Sequence, residues 1–152
     1  MNSKDFIKVR IEQISSEDES EVIIRCHKLN PRLKQVIALL KNEDVRLIAY
    51  VDNRTFQLMP SDIFYIESVG GKTFFYGKNQ VYESKTRLYE LEETLEDFDF
   101  FRVSKSMLIN LTKIQSFAPT TSRRLEAIMQ NGEKVLVSRH YVSTLKRLLN
   151  AQ

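Results

Sequence analysis

Two short blocks of this chain share one design, and that design can hold an anion. They are Val103-Ser104-Lys105-Ser106 and Val137-Ser138-Arg139-His140. Each closes an apolar run, places a serine where it can cap, and then has a basic residue at the start of a helical or turn segment. Free backbone N–H groups at a helix N-terminus attract negative charge. A basic side chain there can contact a phosphate, and an arginine can grip guanine O6 and N7 with two hydrogen bonds. Two routine serine caps beside solvated bases would explain the same residues equally simply.

Other chemistry is less well served. Gly70-Gly71-Lys72-Thr73 resembles the end of a phosphate-binding loop, but that motif needs a glycine where Ile66 stands. It also needs a helix directly after it, and here alternating sequence comes next, so a hairpin turn is the better reading. Ser104 and Ser106 flank Lys105 without a second base at a telling distance, which leaves nucleophilic catalysis without its partners. The pair Glu92-Glu93 belongs to a helix exterior, where solvation is the ordinary explanation. With one cysteine, Cys26, and two histidines, His27 and His140, no zinc-finger spacing exists and no internal disulfide can form. We expect no enzyme activity, no cofactor and no metal.

The elements that must position these blocks are mostly strands. Phe6 to Ile14 alternates, Ser15 to Ser20 is a polar turn, and Glu21 to His27 reads as a second strand. Asn30-Pro31 then marks a helix start, and Leu33, Val36, Ile37 and Leu40 give helical spacing as far as Lys41. Strands are expected at 46–51, 55–59, 63–69, 73–76 and 80–84. A helix over 86–96 carries Leu88, Leu91 and Leu95 inward and an acidic face outward. Further strands are expected at 100–103, 113–118, 125–130 and 133–137, the last two joined by Asn131-Gly132, a strong hairpin signal. A final helix runs over 139–149. This is a β-rich α+β pattern in two parts: a two-strand, one-helix module over residues 1–43 and a larger domain over 44–152. The first part is small for independent stability and needs something to pack on.

Charge is distributed unevenly. Residues 1–52 hold nine bases and nine acids, residues 90–99 hold six acids and no base, and residues 102–152 hold nine bases and two acids. Such asymmetry suits a basic face for an anionic partner, with the acidic helix turned elsewhere. The start of the chain has no apolar signal core and no run approaches a membrane span, so a reducing cytoplasm is the expected setting.

Several blocks resemble the LytTR family of DNA-binding domains. Asp62-Ile63-Phe64-Tyr65-Ile66-Glu67-Ser68 with Gly70-Gly71-Lys72-Thr73 is similar to the family's opening. Leu88-Tyr89-Glu90-Leu91-Glu92 and the run from Phe100 to Asn110 are similar to its middle, and Val137-Ser138-Arg139-His140-Tyr141 to its end. The blocks occur in family order over roughly Arg46 to Leu149. One departure is Ser104, where the family commonly has histidine.

The resemblance implies a strand-built domain rather than a helix-turn-helix, whose loops enter successive major grooves on one face of DNA. It implies three contact regions: Lys72 and Thr73; Ser104, Lys105 and Ser106; and Arg139 with His140. Arg139 is the expected base reader and Lys105 a base or phosphate contact. Arg87 and Lys113 are weaker candidates for phosphate positioning, and Asn110 is expected to be structural. The 1–43 segment is too short for the receiver domain that many relatives carry, which points to the stand-alone type of bacterial transcription regulator. That type implies direct-repeat promoter sites, a homodimer on duplex DNA and, often, regulation by a membrane protein. The rival reading is a non-enzymatic module binding RNA or an acidic protein through the basic C-terminal face, with Phe74, Phe75 and Tyr76 as a stacking surface.

Overall fold

The computed structural model describes residues 7–40 and 45–150. The expected strand start at Phe6, helix end at Lys41 and part boundary at 43/44 lie outside those residues. Seven strands form one antiparallel sheet: β1 (Leu47–Val51), β2 (Arg54–Leu58), β3 (Tyr65–Val69), β4 (Lys72–Tyr76), β5 (Val81–Ser84), β6 (Phe100–Ser104) and β7 (Met107–Asn110). Their spatial order is β2-β1-β5-β4-β3-β7-β6. A second antiparallel sheet has three strands in the order β10-β9-β8, namely β8 (Ile114–Pro119), β9 (Leu125–Met129) and β10 (Lys134–Val137).

Period-two alternation explains how one sheet serves two cores. Successive side chains of a strand point to opposite faces. Ile66 and Leu108 therefore turn to one face and pack with Leu88, Leu91 and Leu95 of α2 (Leu88–Thr94) and the turn after it. Tyr65 and Ile109 turn to the other and pack with Val135, Val137 and Met129 of the small sheet and Leu145 of α3 (Arg139–Asn150). The central strands are covered on both faces, so a one-residue slip would invert both cores at once.

Local chemistry sets the element ends. Glu90 Oε2 accepts a hydrogen bond from the Arg87 N–H at 3.0 Å, satisfying a donor at the start of α2. Asn30 Oδ1 accepts from the Leu33 N–H at 2.8 Å and caps α1 (Pro31–Leu40), with proline at the first position. In the β9–β10 turn only Gly132 takes a left-handed φ, +87°, while Asn131 holds the Glu133 N–H through Oδ1. The hairpin is the one the Asn-Gly pair announces, with the glycine alone in the left-handed region.

One expectation fails. Residues 7–30 contain no strand: the alternating runs are extended, and Val9 and Ile11 are 77% and 87% exposed. A two-stranded hairpin is marginal without a further surface to cover its apolar side, and no described part of this chain supplies one. The segment after Ser104 is a turn, one of the two forms expected there, but it leads into β7, a strand that the sequence pattern does not announce. β7 is only Met-Leu-Ile-Asn, and its turn has none of the glycine, proline or asparagine that usually mark a hairpin.

Candidate nucleic-acid interface

The three sequence-flagged regions come from distant parts of the chain, and backbone hydrogen bonds tie them together around Lys105. The Ser68 N–H, at the end of β3, donates to the Ser106 carbonyl at 2.8 Å. The Ser138 N–H, at the entry to α3, donates to the Val103 carbonyl at 2.9 Å. A β-bulge makes the second link possible. The β6–β7 register passes from Arg102↔Leu108 to Ser104↔Met107, so Val103 has no partner in the ladder. A bulged residue is released from pairing and redirects the strand beyond it. Here the released carbonyl receives α3, and Lys105 emerges at the tip between the two linked neighbours.

Two depressions flank that tip. The larger, of about 700 Å³, is lined among the described residues by the cations Lys72, Lys85, Arg87, Arg102 and Lys105 against one carboxylate, Glu83. Lys72 Nζ lies 3.8 Å from Glu83 Oε1, with both side chains about half exposed, so the ion pair is loose enough to exchange for a phosphate. The smaller, of about 370 Å³, lies between Ser104, Lys105, Ser106, Ser138, His140 and Tyr141. Lys105 and Ser106 belong to both, so the surface is continuous from the β3–β4 turn to the first turn of α3. Gly70 and Gly71, with φ of +58° and +79°, keep the β3–β4 turn narrow at the outer edge of this surface.

The other flagged residues at this end differ in their surroundings. Arg139 is the first residue of α3 and exposed; it lines neither depression itself, but both its neighbours, Ser138 and His140, line the smaller one. The hydrogen bonds shown for Ser138 are made by its backbone, its carbonyl accepting from the Tyr141 N–H at 2.9 Å. Ser104 Oγ lies 3.3 Å from the Ser106 N–H and receives it, so this serine shapes the turn. Thr73 is only 5% exposed, paired between Ser68 and Ser84, and forms floor rather than rim.

Lys113, a weaker candidate for phosphate positioning, lines neither depression. It comes after β7 at the opposite end of the sheet, with Nζ 5.4 Å from the centre of the Phe64 ring. Strand direction is the reason: the chain runs the length of β7 between Lys105 and Lys113. Asn110, read as structural, is buried beside that far end. Its Nδ2 donates to the Ile63 carbonyl at 2.9 Å, and its Oδ1 accepts from the Thr112 N–H and hydroxyl at 3.1 and 2.7 Å.

Sequence reasoning missed Arg102, whose guanidinium lies between α2 and the Lys105 turn. It sits in a strand between apolar residues, where alternation assigns it only to a solvent face. Lys85 was missed as well; its Nζ lies 4.7 Å from the centre of the Tyr50 ring, which orients it along the same edge. Among the described residues no group of three or more His, Cys, Asp or Glu side chains could hold a metal ion, and no helix is long and apolar enough to cross a membrane.

Comparison with known proteins gives this geometry a context. A family model described as the LytTr DNA-binding domain matches residues 53–150. A solved LytTr DNA-binding domain from Bacillus cereus superposes with a TM-score of 0.65 at 27% identity, covering 68% of this chain and 95% of that one. The sensory transduction protein LytT of Enterococcus faecalis is 27% identical over 150 residues, 98% of this chain. The protein of the same name from Bacillus cereus is 29% identical over 149 residues, 96% of this chain. The chain spans 61% and 53% of the lengths of those two relatives. An HTH-type transcriptional regulator of Staphylococcus aureus is 25% identical over 138 residues, covering 90% of this chain and 93% of that protein.

Proposed function

The chain belongs to the LytTr DNA-binding domain family, a family of DNA-binding regulators and not of enzymes, and from that premise we propose that it controls transcription by gripping duplex DNA through the surface centred on Lys105. The observation that carries the reading is the pair of backbone bonds, Ser68 to Ser106 and Ser138 to Val103, which lock three turns into one basic surface. In this reading Arg139 reads a base edge and Lys105 touches a base or a phosphate. Lys72 and Arg87 hold phosphates, with Ser104, Ser106 and His140 supporting them. Thr73 supports the floor, and the work of the protein is done in the cytoplasm, where the DNA is.

The rival RNA reading loses its stacking surface. Phe75 is fully buried, and Tyr76 stacks on Tyr65 with ring centres 4.3 Å apart, so of the three rings only the half-buried Phe74 stays outside the two cores, too few for a stacking platform.

We also assign the sites as direct repeats and the working species as a homodimer. Ile7, Val9, Ile11, Ile14, Val22, Ile23 and Leu29 are all exposed. At roughly 100 Å² for each large aliphatic side chain, these residues offer on the order of 700 Å² per copy, near the ~800 Å² per partner of a stable interface. A second copy supplies the same alternating edges in return.

The test begins with selection of bound duplexes from a random pool. Affinity for the selected duplex is then measured against salt. Engagement of about four phosphates by Lys72, Lys85, Arg87 and Lys105 gives a log–log slope of roughly −3.6. A flat salt dependence, or equal binding to single-stranded RNA, contradicts the reading. Sedimentation of Val9→Asp/Ile11→Asp against the parent chain tests the dimer. A monomeric variant is expected, and an unchanged dimer refutes the interface.

A further inference from the structure

We propose that Arg102 is a positioning residue for DNA recognition: it braces the Lys105 turn against α2, so that Lys105 meets DNA with its backbone already fixed. The inference rests on the reading of Lys105 as a DNA contact and adds to it a residue to which no DNA contact is assigned, Glu92 of the acidic helix.

The geometry is specific. Arg102 donates through Nε at 2.8 Å and Nη2 at 2.6 Å to Glu92 Oε2 on α2, and through Nη1 at 2.6 Å to the Lys105 carbonyl. Its side chain is 16% exposed and that of Glu92 47%. A guanidinium has five N–H donors, and these bonds use three of them on protein atoms. Two other backbone groups of the turn are held too: the Ser106 N–H by Ser104 Oγ at 3.3 Å and the Ser106 carbonyl by the Ser68 N–H at 2.8 Å. Three backbone groups of the turn are therefore bonded within the protein, and the carbonyl dipole of Lys105 points at a cation rather than toward an approaching phosphate. The Lys105 side chain is left exposed at the tip. Ordering the turn before DNA arrives spares that cost on binding.

The brace makes a prediction opposite in sign to simple electrostatics. Glu92 adds negative charge near a surface that binds a polyanion, so deleting it ought to tighten binding if charge were its only role. If Glu92 instead anchors Arg102, deleting it loosens the turn and weakens binding. The substitution Glu92→Ala suits the test, because the site is half exposed and alanine is the best helix former, so α2 keeps its structure.

The experiment measures affinity of the full chain for its selected duplex at one salt concentration. The variants are Glu92→Ala, Lys105→Ala, the double variant, and Arg102→Lys, with thermal unfolding recorded alongside. We expect Glu92→Ala to weaken binding about three- to tenfold without lowering the melting temperature of the chain comparably. The double variant is expected to bind no worse than Lys105→Ala alone, because both act through one side chain. Arg102→Lys keeps the charge but not the planar fork, and is expected to bind as weakly as Glu92→Ala. Tighter or unchanged binding by Glu92→Ala overturns the brace, as does a fully additive double variant or parent-like binding by Arg102→Lys. Unchanged binding by Lys105→Ala marks a different failure, that of Lys105 as a DNA contact.

Discussion

Lys105 and Asn110 lie on one hairpin, the first at its turn and the second where β7 ends, and their surroundings are opposite in kind. Around Lys105 three backbone groups of the turn are satisfied by protein groups while the side chains of Lys72, Lys105 and Arg139 stay exposed. Around Asn110 the side chain itself is consumed: it is 2% exposed, and both its amide nitrogen and its oxygen bind backbone. The same sheet is a recognition surface at one end and a closure at the other. The difference teaches where substitutions divide their effects. At the Lys105 end the cost should fall on affinity, and at the Asn110 end on stability.

The largest effect expected from this division is at Asn110. Asn110→Leu keeps the branched shape of the side chain but leaves the carbonyl of the buried Ile63 without its donor and frees the Thr112 N–H, at a cost on the order of 3 kcal/mol of unfolding free energy. Chemical denaturation measures it, and the fraction that remains folded should bind DNA as the parent does. Loss of affinity without loss of stability would erase the distinction between the two ends.

Arg139 sharpens the comparison from the other side. Arg139→Ala should cost about 1–3 kcal/mol of affinity on the preferred duplex, relax preference at one base position, and leave the unfolding midpoint where it was. Lys72→Ala should weaken all sequences more evenly. A panel of single-base duplex variants separates the two. Should Arg139→Ala weaken every variant alike, Arg139 holds phosphate, and base reading passes to Lys105 or to DNA shape.

A smaller effect comes from the buried aromatic pair beneath the small sheet. Burial, with Glu133, Tyr76 and Glu67 nearby, pushes the Tyr65 hydroxyl up to about 12, and burial with the Glu67 hydrogen bond raises Tyr76. The folded state thus holds these protons after the unfolded chain releases them near pH 10. Stability is full below that pH and falls as pH rises from 10 toward 12. For Tyr65 alone the loss by pH 11 is about 1 kcal/mol. Denaturation at pH 8 and pH 11 should show it, and Tyr65→Phe should reduce it. An equal alkaline loss in Tyr65→Phe would remove Tyr65 from the account.

Much of the fold was legible because its signals are local. Gly70-Gly71, Asn131-Gly132 and the Asn30-Pro31 cap each mark an end, and alternation gives most strands. What escaped is what depends on partners. Residues 7–27 alternate as a strand does, yet alternation only says that one face is apolar, not that this chain covers it. β7 was hidden because its turn is built from serine and lysine, whose backbone is held by Ser68 and Arg102, residues outside the turn itself. The blocks around Lys72, Lys105 and Arg139 were visible by type and resemblance. Their union was implied by the resemblance alone, since no residue type announces the bulge at Val103 on which it rests. Lys113 shows the converse: it is close to Lys105 in sequence and at the other end of the sheet in space.

That last pair gives the most direct test of the claim that DNA is bound at one end of the sheet. Affinity for the selected duplex is to be measured for Lys105→Ala and Lys113→Ala side by side, in the same salt. Each substitution removes one positive charge, so any difference between them is positional. The account predicts about a tenfold loss for Lys105→Ala and less than about a twofold change for Lys113→Ala. Equal losses, or the larger loss at Lys113, would contradict it.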